Sequence, residues 1–114
     1  MNNTTDDTQE MLRLLRENYA ARLPEKLKQI KEYWQTLEQS GWETETAQKL
    51  HALVHKLAGS GASYGFPEVS QTARDLEVYL EEILENQTSP TSNWQTEIKQ
   101  MLDELYQATS EIES

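Results

Sequence analysis

The sequence has no cysteine, and it is poor in glycine, proline and basic side chains. Its 114 residues include four glycines, three prolines and ten lysines and arginines. Without cysteine the chain forms no disulfide and performs no thiol chemistry, which suits the reducing cytoplasm. No apolar run approaches the roughly 20 residues that a membrane-spanning helix needs, and the first ten residues are not signal-like. We therefore expect a cytoplasmic protein without a membrane segment.

Positive charge is also scarce, because twenty acidic side chains outnumber the ten basic ones and give a formal net charge of −10. Such a chain is a poor partner for nucleic acid or for an anionic membrane surface. The sequence also lacks a glycine-rich nucleotide loop and a Ser/His/Asp arrangement, so we do not expect an enzyme that acts alone. In particular, we expect neither ATP binding nor autophosphorylation.

Apolar residues recur at three- and four-residue steps along most of the chain, and no strand pattern is present. The length suits one domain, which we place at residues 6–114 after a disordered tail at residues 1–5. A short helix is predicted to stop near Leu23, and Pro24 is predicted to begin the next one. Three further helices are expected after Gly41, after Gly65 and from Trp94 onward. This pattern predicts an all-α fold, an antiparallel up-down four-helix bundle with a short additional N-terminal helix over one end.

Small residues are concentrated between Val54 and Phe66, a segment that holds three of the four glycines. Glycine inside a helix costs about 1 kcal/mol relative to alanine, so Gly59 and Gly61 indicate a structural or functional requirement. Gly61 lies on the apolar stripe of its predicted helix, where it allows another helix to pack closely. Gly65 is predicted to end this helix.

His55 lies about 120° around the helix from the centre of the apolar stripe, which predicts an exposed side chain. Gly59 and Ala62 lie within about 40° of it, so little side-chain bulk surrounds the imidazole. An open imidazole of this kind suits the docking of a partner over the ring.

A helical hairpin centred near Phe66 would bring distant residues together, because positions equally far from the turn face each other. His55 lies eleven residues before Phe66, and Glu77 lies eleven residues after it. We therefore expect the imidazole of His55 and the carboxylate of Glu77 to approach the same edge of the groove between the two helices.

The spacing of His55, Leu57, Gly59 and Gly65 resembles the signature of histidine-containing phosphotransfer (HPt) domains. The resemblance continues through Phe66 and through Leu76 and Glu77. It implies a four-helix bundle in which His55 is the phosphoacceptor and Glu77 accepts a hydrogen bond from Nδ1–H, which leaves Nε2 free. The usual family lysine, three residues after the histidine, is Ala58 here. Lys56 is the nearest lysine and is a candidate neighbour of the phosphoryl group.

The resemblance implies a phosphocarrier that exchanges a phosphoryl group between His55 and the aspartate of a receiver domain. The implied partners are response-regulator receivers and a sensor or hybrid histidine kinase, with Mg²⁺ on the receiver, no cofactor in this chain, and a monomeric carrier. The alternative is a helical adaptor that binds a receiver or regulatory partner without phosphate exchange. The predicted docking surface consists of Ala58, Gly59, Ala62, Ser63, Ser70 and Arg74.

The second histidine, His51, lies one helical turn before His55, at the border of the core, and we interpret it as a structural residue or as one that supports the site around His55. An i, i+4 histidine pair can bind zinc when a third ligand converges. Here Glu77 or Glu81 would have to supply that ligand, and no glutamate follows His51 directly. We predict no metal site from the sequence.

Overall fold

In the computed structural model of the protein, the described backbone covers residues 4–86, 90 and 93–113, and the described side chains cover residues 7–86, 90 and 93–112. This part of the chain forms four helices and no strand, which confirms the predicted all-helical fold. The helices are α1 (Thr4–Ser40), α2 (Thr44–Ser63), α3 (Pro67–Asn86) and α4 (Trp94–Glu113). Each helix packs against the next along the chain, and α4 returns to α1. No helix in the described ranges is long and apolar enough to cross a membrane.

The core lies along the axis of the bundle, where the apolar stripes of all four helices meet. Leucine and isoleucine side chains that recur at three- and four-residue steps are almost wholly buried there. The largest fully buried side chains are Leu23, Ile30, Leu37, Leu50, Val54, Leu57, Val69, Leu76, Leu80, Ile98, Leu102 and Leu105.

Helix α1 continues without interruption through Pro24, so the predicted break after Leu23 is wrong. Proline removes one helical hydrogen bond and crowds the preceding turn, at a cost of about 3 kcal/mol. The buried side chains of Tyr19 and Leu23 precede Pro24, and Ile30 follows it on the same face. Packing on both sides of the proline therefore holds a single helix direction and offsets this local cost.

The N-terminal part of α1 projects beyond the bundle, so it does not cover one end as predicted. At 1.5 Å per residue, α1 is about 55 Å long and each other helix about 30 Å, while the molecule extends over 63 Å. All described side chains from Asp7 to Asn18 are exposed, and Tyr19 is the first buried one. The exposed apolar side chains between Asp7 and Asn18 are Met11, Leu12, Leu14 and Leu15. Residues 1–3 of the predicted tail lie outside the described residues.

Tyr19 anchors α1 to the connection between α2 and α3. Its ring stacks on Tyr64 and on Phe66, at centroid distances of 4.7 and 5.7 Å. Its hydroxyl shares a hydrogen bond with the Ser60 hydroxyl, at an oxygen–oxygen distance of 2.7 Å. Burial raises the pKa of Tyr19, and the hydrogen bond to Ser60 partly opposes this rise. This end of the bundle is therefore fixed by stacked rings.

Three tryptophans close the opposite end, near the connection between α1 and α2. The Trp94 ring meets Trp34 edge to face at a centroid distance of 6.1 Å and Trp42 at 5.4 Å. Edge-to-face contacts of this kind add about 0.5–1.5 kcal/mol beyond the burial of area. The start of α4 is thereby held against the first two helices.

Two glycines determine how closely α2 and α3 approach. A Cβ atom at Gly61 would lie 3.1 Å from the backbone nitrogen of Ser70 on α3, so even the first atom of a side chain would push the two helices apart slightly. Gly65, between the helices, has a φ of +86°, a conformation that side-chain-bearing residues avoid. The Ser70 hydroxyl also donates a hydrogen bond to the Ala58 carbonyl at 2.6 Å. The sequence thus builds a close hairpin, and this hairpin holds the candidate site.

Candidate functional site

The structure joins the two side chains that the hairpin register predicts to approach. His55 on α2 and Glu77 on α3 form a hydrogen bond between Nδ1 and the carboxylate oxygen Oε2. The His55 side chain is 67% exposed, whereas that of Glu77 is only 9% exposed. The exposed imidazole of His55 is therefore oriented by a hydrogen bond to the nearly buried carboxylate of Glu77.

This hydrogen bond determines which ring nitrogen is available. An ionised carboxylate can only accept hydrogen bonds, so Nδ1 of His55 carries the hydrogen and donates it to Glu77. In the neutral imidazole Nε2 then has the lone pair. Among the described residues, the structure gives Nε2 of His55 no hydrogen-bond partner. The arrangement presents a nucleophilic nitrogen to the solvent in a fixed orientation.

The positions that follow His55 by one and two helical turns carry only small side chains. A Cβ atom built at Gly59, one helical turn after His55, would have no described neighbour within 4 Å. Ala62 and Ser63 are also exposed, and the Ser63 hydroxyl is engaged with the Gly59 carbonyl at 3.2 Å. On this side of the ring, a partner protein can therefore approach without meeting a large side chain at these three positions.

The prediction that Ala58 belongs to the docking surface is wrong, because its side chain is buried. Only 3% of the residue is exposed, and its carbonyl accepts the hydrogen bond from Ser70. The absence of a side chain at Gly61 lets α3 come close enough to cover Ala58. Ser70 is half-buried in the same contact, so its hydroxyl is committed to α2.

Arg74 is exposed, as predicted for a docking residue, but it lies on the flank of α3 that faces α4. There it lines a surface groove together with Val78, Met101 and Glu104. The other predicted cation, Lys56, is exposed on α2, and within the described part of the chain it forms no ion pair. The structure gives neither Lys56 nor Arg74 a hydrogen bond with His55.

His51 belongs to the same hairpin and lies one helical turn before His55 on α2. The two imidazole rings are nearly parallel, with centroids 6.2 Å apart. The Nε2 atom of His51 lies 3.6 Å from Oε2 of Glu81, on the next turn of α3 after Glu77. The sequence spacing could have predicted this second pair, because His51 and Glu81 lie fifteen residues before and after Phe66.

Of the comparisons with known proteins, the scan against family models gives a match. The family model of the Hpt domain matches residues 4–108, which is most of the chain. The chain therefore belongs to the Hpt domain family, a class of helical bundles that take part in histidine phosphotransfer in phosphorelays. Comparisons with curated proteins and with solved structures gave no significant match.

Proposed function

We propose that this protein is a phosphorelay carrier in which Nε2 of His55 accepts a phosphoryl group from the aspartyl phosphate of a receiver domain and returns it to another receiver. The observation that carries this proposal is the exposed His55 ring, whose Nδ1 is held by the nearly buried Glu77 carboxylate. The carrier works in the cytoplasm together with receiver domains and a sensor or hybrid kinase.

The proposed chemistry is a displacement at phosphorus. The Nε2 lone pair of His55 forms the new nitrogen–phosphorus bond while the bond between phosphorus and the aspartate oxygen breaks. The electron pair of that bond leaves on the aspartate carboxylate. Nδ1 keeps its proton, and the positive charge that develops on the ring is stabilised by the Glu77 carboxylate. Transfer then depends chiefly on alignment and on charge neutralisation.

In this mechanism the receiver supplies the Mg²⁺ ion and the phosphoryl-binding groups. The present chain contributes the nucleophile and its orientation, so it is a phosphocarrier without kinase activity of its own. Lys56 is the proposed source of an additional positive charge near the bound phosphoryl group, because it is exposed one residue after His55.

The direct test is phosphoryl transfer from a panel of phosphorylated receiver domains to the purified chain. We expect an acid-labile, base-stable label, and ³¹P and ¹⁵N NMR should place the phosphorus on Nε2 of His55. Tight receiver binding without label would favour the adaptor alternative. ATP alone should leave the chain unlabelled.

The role of Glu77 is to orient His55, and two substitutions separate its hydrogen bond from its packing. Glu77→Leu removes the acceptor and is expected to slow transfer about tenfold or more, because a hydrogen bond to a charged group contributes about 1.5–3 kcal/mol. Glu77→Gln keeps an acceptor oxygen and should lose distinctly less. Transfer rates from one phosphorylated receiver measure both effects.

A structural role alone would not change the tautomer of His55, which ¹⁵N NMR reports. We expect the Nδ1–H form in the wild type and in Glu77→Gln, and a larger share of the Nε2–H form in Glu77→Leu. If Glu77→Leu kept both the wild-type tautomer and the wild-type rate, Glu77 would have no positioning role.

The proposed docking surface around His55 consists of Gly59, Ala62 and Ser63. Gly59→Trp places a large ring on this surface and should reduce receiver binding and transfer by at least about tenfold, since well-packed contacts at the centre of an interface dominate affinity. Because a Cβ atom at Gly59 would lie in open space, thermal stability should be nearly unchanged. Normal transfer by the stable Gly59→Trp variant would exclude this docking surface.

A further inference from the structure

Below His55, three potential metal ligands converge in the groove between α2 and α3. One ligand atom each from His51, Glu77 and Glu81 lie within 4.8 Å of one another. Glu77 and Glu81 lie on consecutive turns of α3, and His51 lies on α2, which packs against it. No part of the phosphotransfer chemistry uses His51 or Glu81.

The Nε2 atom of His51 is the unsatisfied polar atom of this cluster. This atom is buried and has no hydrogen-bond partner among the described residues. Leaving a buried polar nitrogen unpaired costs about 1–3 kcal/mol. The nearest carboxylate oxygen, Oε2 of Glu81, is 3.6 Å away, which is too far for a hydrogen bond.

The same separation suits two ligands of one metal ion. Zinc–nitrogen and zinc–oxygen bonds of about 2.0–2.2 Å in a tetrahedral site place neighbouring ligands about 3.3–3.6 Å apart. The distance of 3.6 Å between Nε2 of His51 and Oε2 of Glu81 is therefore the distance expected between two ligands of one ion. The Glu77 carboxylate uses Oε2 to accept the His55 hydrogen bond, so its other oxygen is available as the third ligand.

We propose that His51, Glu77 and Glu81 form a binding site for a divalent transition-metal ion of the Zn²⁺ class. One imidazole nitrogen with two carboxylate oxygens suits such ions better than Mg²⁺ or Ca²⁺, which prefer oxygen ligands alone. Three protein ligands leave a fourth position for water. This proposal departs from the absence of a metal site predicted from the sequence, and it does not depend on phosphotransfer.

The test is titration of the purified chain with Co²⁺, whose visible absorption reports four- or five-coordinate binding, followed by displacement with Zn²⁺. We expect one ion per chain and a loss of affinity of at least about tenfold in Glu81→Gln, because the amide has no negative charge and even substitutions of groups that only orient a ligand cost that much. Glu81 is 45% exposed, so its substitution should leave the fold intact. His51→Gln should have the same effect.

Glu85→Gln is the matched control, because it removes the same charge from an exposed position of the same helix. Equal affinity of Glu81→Gln and Glu85→Gln would show diffuse attraction to an acidic surface and would overturn the site. Absence of binding at millimolar Co²⁺ would overturn it as well, and would leave His51 and Glu81 as an ordinary ion pair.

The ligand atoms are identified by ¹⁵N NMR of the two imidazoles. Zn²⁺ should shift the Nε2 resonance of His51 strongly and leave Nε2 of His55 unligated, and His55→Gln should retain binding. If Zn²⁺ instead shifted Nε2 of His55 and binding were lost in His55→Gln, the ion would be held by the histidine pair, contrary to the proposal.

Discussion

Replacement of His55 by glutamine is expected to abolish phosphoryl acceptance completely. The glutamine amide has a similar reach and can donate a hydrogen bond to Glu77, but its nitrogen has no lone pair available for attack on phosphorus. Since the His55 side chain is 67% exposed, the free energy of unfolding should change by no more than about 0.5 kcal/mol. Label on the chain after incubation with a phosphorylated receiver measures the effect.

Receiver binding distinguishes a lost nucleophile from a damaged surface. We expect His55→Gln to bind the unphosphorylated receiver with wild-type affinity in calorimetry, because the residues around position 55 are unchanged. The variant still contains His51, so acid-labile label on it would move the phosphoacceptor to that residue. Such a result would contradict the proposed role of His55.

Replacement of Gly61 by leucine is expected to destabilise the protein by about 2–4 kcal/mol, a large part of the 5–15 kcal/mol of a typical domain. The first atom of any side chain at this position would lie 3.1 Å from the Ser70 backbone, and leucine adds three more carbons. The helices must move apart, which uncovers Ala58 and weakens the hydrogen bond from Ser70. Urea denaturation measures the loss.

Gly59→Leu is the matched control, since it is the same substitution two residues earlier in the same helix. A side chain there has open space, so the better helix propensity of leucine should stabilise the protein by about 0.5–1 kcal/mol. The two variants should therefore differ in sign. Equal effects at both positions would show that α3 does not pack closely against Gly61.

The helical fold is predictable from the sequence because each buried residue repeats at helical spacing. The predicted break at Pro24 is wrong, and the spacing of the buried residues on either side of Pro24 already indicates a single helix. Tyr19, Leu23, Ile30, Trp34 and Leu37 lie within about 60° of one another on a single helical wheel. A true break would have shifted this stripe, so its unbroken phase outweighs the local preference of proline for a helix start.

The His55–Glu77 contact is predictable because one glycine-containing turn sets the register of a hairpin. The burial of Ala58 is not, since the helical wheel places Ala58 about 60° from the centre of the apolar stripe, at its border. Whether a border residue is buried depends on how closely the neighbouring helix approaches. That distance is set by Gly61 against Ser70, a tertiary contact that periodicity alone does not contain.

The short, glycine-containing turn between α2 and α3 has a consequence for the order of folding. His55 and Glu77 are only 22 residues apart, so closing the chain between them costs little entropy. Contacts of low sequence separation form early and fast, whereas α1 and α4 meet only after most of the chain has been enclosed. We therefore expect the nucleophile and its orienting carboxylate to meet within a nascent hairpin, before the rest of the bundle closes around it.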